Sequence, residues 1–165
     1  MADRAWRSAR ELGGAIRAGE IGSREMLDQY LRRVQQFNPQ INAIVTLDVE
    51  RARQRADAAL ARGELWGTLH GVPMTVKDSF ETAGIGTMSG SKSLARHVPA
   101  TDALAVRRLI DAGAVLFGKT NLPTFAMDAQ SYNLVFGTTN NPWDTARSPG
   151  GSSGGAAAAM TASPS

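Results

Sequence analysis

The sequence predicts an α/β fold, because helical patterns alternate along it with short apolar segments typical of buried strands. Apolar residues at helical spacing, and short apolar runs, indicate helices at about 4–17, 23–38, 49–63 and 103–112, and strands at 43–47, 73–76 and 114–117. Ser23 is the expected N-cap of the second helix, and Asn38-Pro39 its expected end. After Gly67 the sequence becomes rich in glycine, serine and threonine, so we expect a loop-rich second part.

Composition excludes several classes of protein. The chain has 165 residues and 42% hydrophobic content, which suits one globular domain. With no cysteine and only two histidines, His70 and His97, the sequence predicts no disulfide and no metal site. Its basic residues lie beside acids at helical positions, so the net charge of +3 predicts no nucleic-acid surface. We expect a cytoplasmic protein without a membrane span or secretory signal.

Residues 113–120, GAVLFGKT, satisfy the pattern of a phosphate-binding loop. Such a loop needs a strand before its first glycine and a helix after its lysine. Here the apolar segment 114–117 lies between the two glycines, and Pro123 disfavours a helix directly afterwards. We therefore expect a structural strand with a polar exit turn and no nucleotide site.

Ser89 and Lys92 match the S-x-x-K pattern of penicillin-binding enzymes. That pattern belongs at the start of a helix, whereas these residues lie in the loop-like segment TMSGSKS. Four common residues produce such a match by chance, so we do not expect a catalytic pair here.

Residues 148–160, SPGGSSGGAAAAM, admit two interpretations. A flexible Gly/Ser linker is one of them. The alanines that follow are strong helix formers, however, and a glycine-rich turn leading into a helix directs backbone N–H groups and small hydroxyls at one point. Lys77 follows an apolar strand, so partial burial could make its amine a general base, but the local residues alone favour an exposed Lys77 paired with Asp78.

Three segments together resemble the amidase-signature family: HGVPMTVKDSFETAG (70–84), DAGAVLFGKTNLP (111–123) and FGTTNNPWDTARSPGGSSGGAAAA (136–159). The resemblance covers about residues 8–160 and is closer to the general amidases than to the glutamyl-tRNA amidotransferase A subunit. It implies an α/β amidase-signature fold, a mixed sheet flanked by helices, here truncated. It also implies hydrolysis of a small-molecule amide, with no metal or organic cofactor.

The family uses a Ser–cis-Ser–Lys triad, and the resemblance assigns two of its members. Lys77 matches the base and Ser152 the bridging serine, after a cis peptide bond from Gly151. Ser153 and Gly151 are supporting residues. A hydroxyl suits the middle position because it both donates and accepts a hydrogen bond. We therefore expect the Lys77 amine and the Ser152 hydroxyl to lie in hydrogen-bond contact.

The nucleophile is the member without a match. In the family it lies roughly two dozen residues beyond the bridging serine, beside the oxyanion hole, so none is expected within residues 1–165. We expect a helical lead-in (1–66), the start of the sheet core (67–160) and a divergent tail (161–165). Without the remaining sequence, strand 114–117 and the apolar face from Met26 to Phe37 should be exposed. One alternative is an inactive remnant or interaction fragment, and another is the A subunit of a glutamine-dependent tRNA amidotransferase.

Overall fold

The computed structural model describes residues 7–61 and 65–162. Its main elements, in chain order, are α1 (Ala9–Arg17), α2 (Ser23–Ile41), β1 (Ile44–Leu47), α3 (Val49–Ala61), β2 (Pro73–Lys77), α4 (Leu104–Asp111), β3 (Val115–Thr120), β4 (Tyr132–Asn133), β5 (Gly137–Thr138) and α5 (Gly154–Thr161). This alternation of helices and short strands confirms the predicted α/β class.

The sheet that positions the site has the order β1-β3-β2. Strand β3 runs antiparallel to β1 and parallel to β2, so the sheet is mixed. All six residues of β3 are buried, as expected of a central strand covered on both faces, although only Val115, Leu116 and Phe117 have apolar side chains. The helical lead-in therefore supplies an edge strand, β1, to the core sheet.

A bulge in β3 decides which side chains face which layer. Along β2 and β3 the register partners of Met74 and Thr75 are Leu116 and Gly118, so Phe117 is the extra residue. Phe117 packs with α2 and α3 on one face of the sheet. Because of the bulge, Lys119 does not share that face but pairs with Val76.

The two faces carry different helices. One apolar cluster joins the sheet to α2 and α3, and its buried members are Leu27, Leu31, Ile44, Ala52, Ala56, Val115 and Phe117. On the opposite face, Val76 and Leu116 pack against Val106 of α4. Helix α5 packs through Ala158 against Ile41 and Ala43, at the end of α2 and the start of β1.

The start of α2 differs from the prediction. Gly22 is the N-cap, and Ser23 is the first helical residue. The Ser23 hydroxyl is buried and donates a hydrogen bond to the carbonyl of Gly71 at 2.7 Å. Ser23 therefore ties α2 to the segment before β2, and the N-cap prediction is wrong because a tertiary partner takes its hydroxyl.

The end of α2 also differs. The helix continues through Pro39 to Ile41, and Asn42 closes it in the left-handed conformation with φ of 48°. Pro39 lies in the last turn, where its missing N–H removes one donor and does not stop the helix. The Asn38 side chain accepts hydrogen bonds from the backbone N–H groups of Ala43 and Ile44, at 2.9 and 2.8 Å, and so directs the chain into β1.

Three further expectations changed. Strand 114–117 was expected to be exposed, but β3 is the central strand. On the face of α2 that was expected to be exposed, Met26, Leu27 and Leu31 are buried, whereas Tyr30, Val34 and Phe37 are half-buried. The first helix begins at Ala9, capped by Ser8, and residues 1–6 lie outside the described range. Of the expected tail, Thr161 is the last residue of α5, while 163–165 are not described. Within the described part of the chain, no helix is both long and apolar enough to cross a membrane.

The phosphate-loop pattern lies inside the sheet. The lysine of the pattern, Lys119, belongs to β3 and is completely buried, so the predicted polar exit turn is wrong while the predicted strand is confirmed. The Lys119 side chain is directed into the protein, where its amine donates to the carbonyl of Phe80 at 2.8 Å.

We predict that the chain binds no nucleotide at this segment. Titration with ATP and magnesium, followed by calorimetry, should give no saturable heat. Saturable micromolar binding that Lys119→Ala abolishes in a folded chain would contradict the assignment of GAVLFGKT to a structural strand.

Candidate active site

Lys77 is the last residue of β2 and faces away from α4. Its register partner is Thr120, whereas the preceding residue, Val76, packs into the α4 cluster. Because side chains alternate along a strand, Lys77 points to the side on which the turn before α5 lies. The side chain is half-buried.

The predicted approach of Lys77 to the glycine-rich turn is confirmed. Lys77 Nζ lies 2.7 Å from Ser152 Oγ and 3.1 Å from Ser153 Oγ. The peptide bond between Gly151 and Ser152 is cis, as the family resemblance implied. A linker interpretation of residues 148–160 is therefore wrong, because the turn is seated on the sheet and leads into α5.

Gly151 has no room for a side chain. A Cβ at this position would lie 2.3 Å from the carbonyl oxygen of Gln130. Gly155, in the first turn of α5, is equally restricted, since a Cβ there would lie 2.4 Å from the carbonyl oxygen of Asn121. The glycines thus let the turn and the helix start approach two backbone segments closely.

Burial shifts the protonation equilibrium of the Lys77 amine towards its neutral form. Burial lowers the pKa of Lys77 below its ordinary value, because removing water penalises the charged form. The alternative of a Lys77–Asp78 pair is wrong: Asp78 points to the opposite face, where its carboxylate lies 3.6 Å from Lys119 Nζ. A larger fraction of Lys77 is therefore neutral at a given pH than of an exposed lysine.

Chemically, this arrangement can move a proton. A neutral lysine nitrogen accepts a proton from a hydroxyl, and a hydroxyl can at the same time accept one from a third group. Both Ser152, which is half-buried, and the more exposed Ser153 lie within reach of the lysine.

A buried ion pair supports the strand end from the other face. Lys119 Nζ donates to the carbonyl of Phe80 at 2.8 Å and to Thr87 Oγ1 at 2.8 Å. Asp78 accepts the backbone N–H of Met88 at 3.1 Å. Lys119 and Asp78 thereby fold the loop after β2 back on the sheet. The sequence analysis did not predict this buried role of Lys119. The available signal was a lysine placed just after the apolar residues of a buried strand.

The Ser89 and Lys92 pair shows no catalytic geometry. Ser89 has the left-handed conformation, with φ of 47°, and Lys92 is exposed at the start of a single 3₁₀ turn (Lys92–Leu94). The penicillin-binding pattern requires its serine at a helix start, so the match is fortuitous.

The mixed sheet brings a lysine at the end of β2 into contact with two serines of the turn before α5. The protein is thus of the α/β class, and its site has the geometry of a Lys–Ser proton relay. The Amidase family model matches residues 25–165, and the chain belongs to this family.

Solved structures and curated relatives agree with this assignment. The chain superposes on a 6-aminohexanoate cyclic dimer hydrolase with a TM-score of 0.87 and 36% identity, covering 97% of this chain and 32% of that one. For a fatty acid amide hydrolase the TM-score is 0.86 and the identity 28%, covering 92% and 27%. The A subunit of the glutamyl-tRNA(Gln) amidotransferase from Halorhodospira halophila is 48% identical, covering 92% of this chain and 32% of the relative.

Two consequences follow. The chain spans about a third of the length of the curated relatives it matches. The expected closer likeness to general amidases is not supported, since the identities to amidotransferase A subunits, 43–48%, exceed those to the amidase structures, 28–39%.

Proposed function

We propose that Lys77 and Ser152 supply the base and the relay serine of an amide hydrolase of the Ser–cis-Ser–Lys type. The observation that carries the proposal is the 2.7 Å contact between Lys77 Nζ and Ser152 Oγ, made by a lysine whose pKa burial lowers. Ser153 and Gly151 support this pair, the former as a second acceptor and the latter through its close fit against Gln130.

The proposed proton path is short. Neutral Lys77 takes the hydroxyl proton of Ser152, and Ser152 takes the proton of the attacking serine. That serine, by the family resemblance, lies roughly two dozen residues past Ser152. The oxygen of the attacking serine bonds to the amide carbonyl carbon; when the C–N bond breaks, the proton returns through Ser152 to the leaving amine, and water then hydrolyses the serine ester. The substrate class is a small-molecule amide, and a cytoplasmic location remains part of this proposal.

The A subunit of an amidotransferase is the second candidate, favoured by the 48% identity to one such protein. The two candidates share the Lys77–Ser152 chemistry and differ in the amide attacked. Glutamine would be the amide in the second case, and other subunits would be required. The non-enzymatic alternative is a catalytically inactive remnant or a fragment that binds another protein.

Joining the chain to the downstream part of a related amidase tests the proposal. Residues 1–165 alone are expected to hydrolyse aryl amides, aryl esters and glutamine at background rate, because neither Lys77 nor Ser152 is placed to attack a carbonyl. The joined protein should turn over at least one of these amides. Turnover by residues 1–165 alone that both Lys77→Ala and Ser152→Ala abolish would show that the nucleophile is misplaced.

A further inference from the structure

Ser131 lies under the glycine-rich turn and contacts it on both sides of the two serines. Its hydroxyl donates to the carbonyl of Gly150 at 3.0 Å and accepts the backbone N–H of Gly154 at 2.9 Å. The side chain belongs to a different segment, just before β4, and is 2% exposed. One hydroxyl therefore spans the backbone that presents Ser152 and Ser153.

The contact on Gly154 satisfies one of the backbone N–H groups at the start of α5, which have no partner within the helix. Gly154 is the first residue of the helix, and Ser153 is its N-cap. The Ser153 side chain makes no capping hydrogen bond; its hydroxyl accepts from Lys77 at 3.1 Å. Ser131 therefore holds the helix start next to the serine that contacts Lys77.

Packing makes the contact specific. A Cβ at Gly154 would lie 2.4 Å from Ser131 Oγ, so only glycine permits the approach. A Cβ at Gly151 would likewise lie 2.3 Å from the carbonyl oxygen of the neighbouring residue, Gln130. Segment 130–131 and turn 150–154 therefore pack so closely that neither Gly151 nor Gly154 could carry a side chain.

We propose that Ser131 is a positioning residue for the relay: its two hydrogen bonds fix the turn so that Ser152 and Ser153 stay in contact with Lys77. The proposal rests on the proposed function for its catalytic meaning, but its geometry can be tested without turnover. Without the hydroxyl, the Gly150 carbonyl and the Gly154 N–H lose their partner, and the turn can lift away from Lys77.

The test compares Ser131→Ala with Ser23→Ala in the 165-residue chain. Ser23 is a matched control, since it too is a buried serine donating to a glycine carbonyl, at 2.7 Å on Gly71, remote from the turn. Both variants should lose stability. The readout is the titration of Lys77, followed by NMR of lysine side chains labelled with ¹³C and assigned with Lys77→Arg.

Ser131→Ala should raise the pKa of Lys77 towards that of an exposed lysine, because a lifted turn lets water reach the amine, whereas Ser23→Ala should leave it unchanged. Ser131→Thr, which keeps a hydroxyl, should retain the wild-type value. If Ser131→Ala does not fold, Ser131→Cys replaces it, since the thiol is similar in size but a weak hydrogen-bonding group and should also raise the pKa of Lys77. An unchanged Lys77 titration in folded Ser131→Ala, or an equal shift in Ser23→Ala, would overturn the proposal. Failure of the hydrolysis tests with an intact Ser131 effect would instead reject the proposed function alone.

Discussion

Lys119→Met is expected to destabilise the protein by about 3–5 kcal/mol, the usual cost of removing one member of a buried ion pair. Lys119 is completely buried, and its amine is the charged partner of Asp78 at 3.6 Å. Without it, the Asp78 carboxylate stays buried with no cation beside it. Urea denaturation followed by circular dichroism would measure the loss.

The loss should depend on pH in a defined direction. Burial raises the pKa of Asp78, and the Lys119 charge opposes that rise. In the variant the folded-state pKa rises further above the unfolded value, so folding takes up a proton and stability falls as pH rises. The deficit of Lys119→Met relative to wild type should thus be larger at pH 7 than at pH 4.

Two variants complete this experiment. Lys119→Met with Asp78→Asn should recover much of the stability, because no buried charge remains. Lys92→Met, a change at an exposed lysine, should stay within about 0.5 kcal/mol of wild type. If Lys119→Met is as stable as Lys92→Met, the buried pair does not support the end of β2 as described.

In the joined protein, Lys77→Met should lower the rate of amide hydrolysis by about 10²–10⁴-fold, the usual contribution of a general base. Methionine keeps the apolar stem of the lysine and removes only the nitrogen that contacts Ser152 and Ser153. Steady-state kinetics on an aryl amide would measure the effect. A thermal melt of each variant would separate lost chemistry from lost folding.

Ser152→Ala and the double variant test whether the two residues act as one unit. Groups that pass the same proton fail together, so the double variant should lose little more than either single variant. Lys92→Met should keep wild-type kinetics. Losses that multiply in the double variant would mean that Lys77 and Ser152 contribute through separate steps.

Local sequence signals were sufficient for most of the fold. The apolar segments at 43–47, 73–76 and 114–117 each became a strand. The strand ends were less predictable, because β3 continues beyond its apolar segment through Gly118, Lys119 and Thr120. Burial of Lys119 depends on the bulge at Phe117 and on partners supplied by the loop after β2, and neither is visible in a local pattern.

The candidate site was predictable only through family resemblance. Local residues alone favoured a surface ion pair of Lys77 with Asp78 over a buried base. The alternation of β2 decides between them, since it places consecutive side chains on opposite faces. Ser131 gave no signal, because its two partners are backbone groups about twenty residues away along the chain, at Gly150 and Gly154.

The pH dependence of kcat/KM for the joined protein tests the relay most directly. If neutral Lys77 is the base, activity should fall as pH drops through its pKa, with a midpoint below that of an ordinary lysine, about 10.4, because burial lowers the Lys77 pKa. In Lys77→Met the residual activity should lack this limb. An identical limb in wild type and Lys77→Met would contradict the assignment of Lys77 as the base.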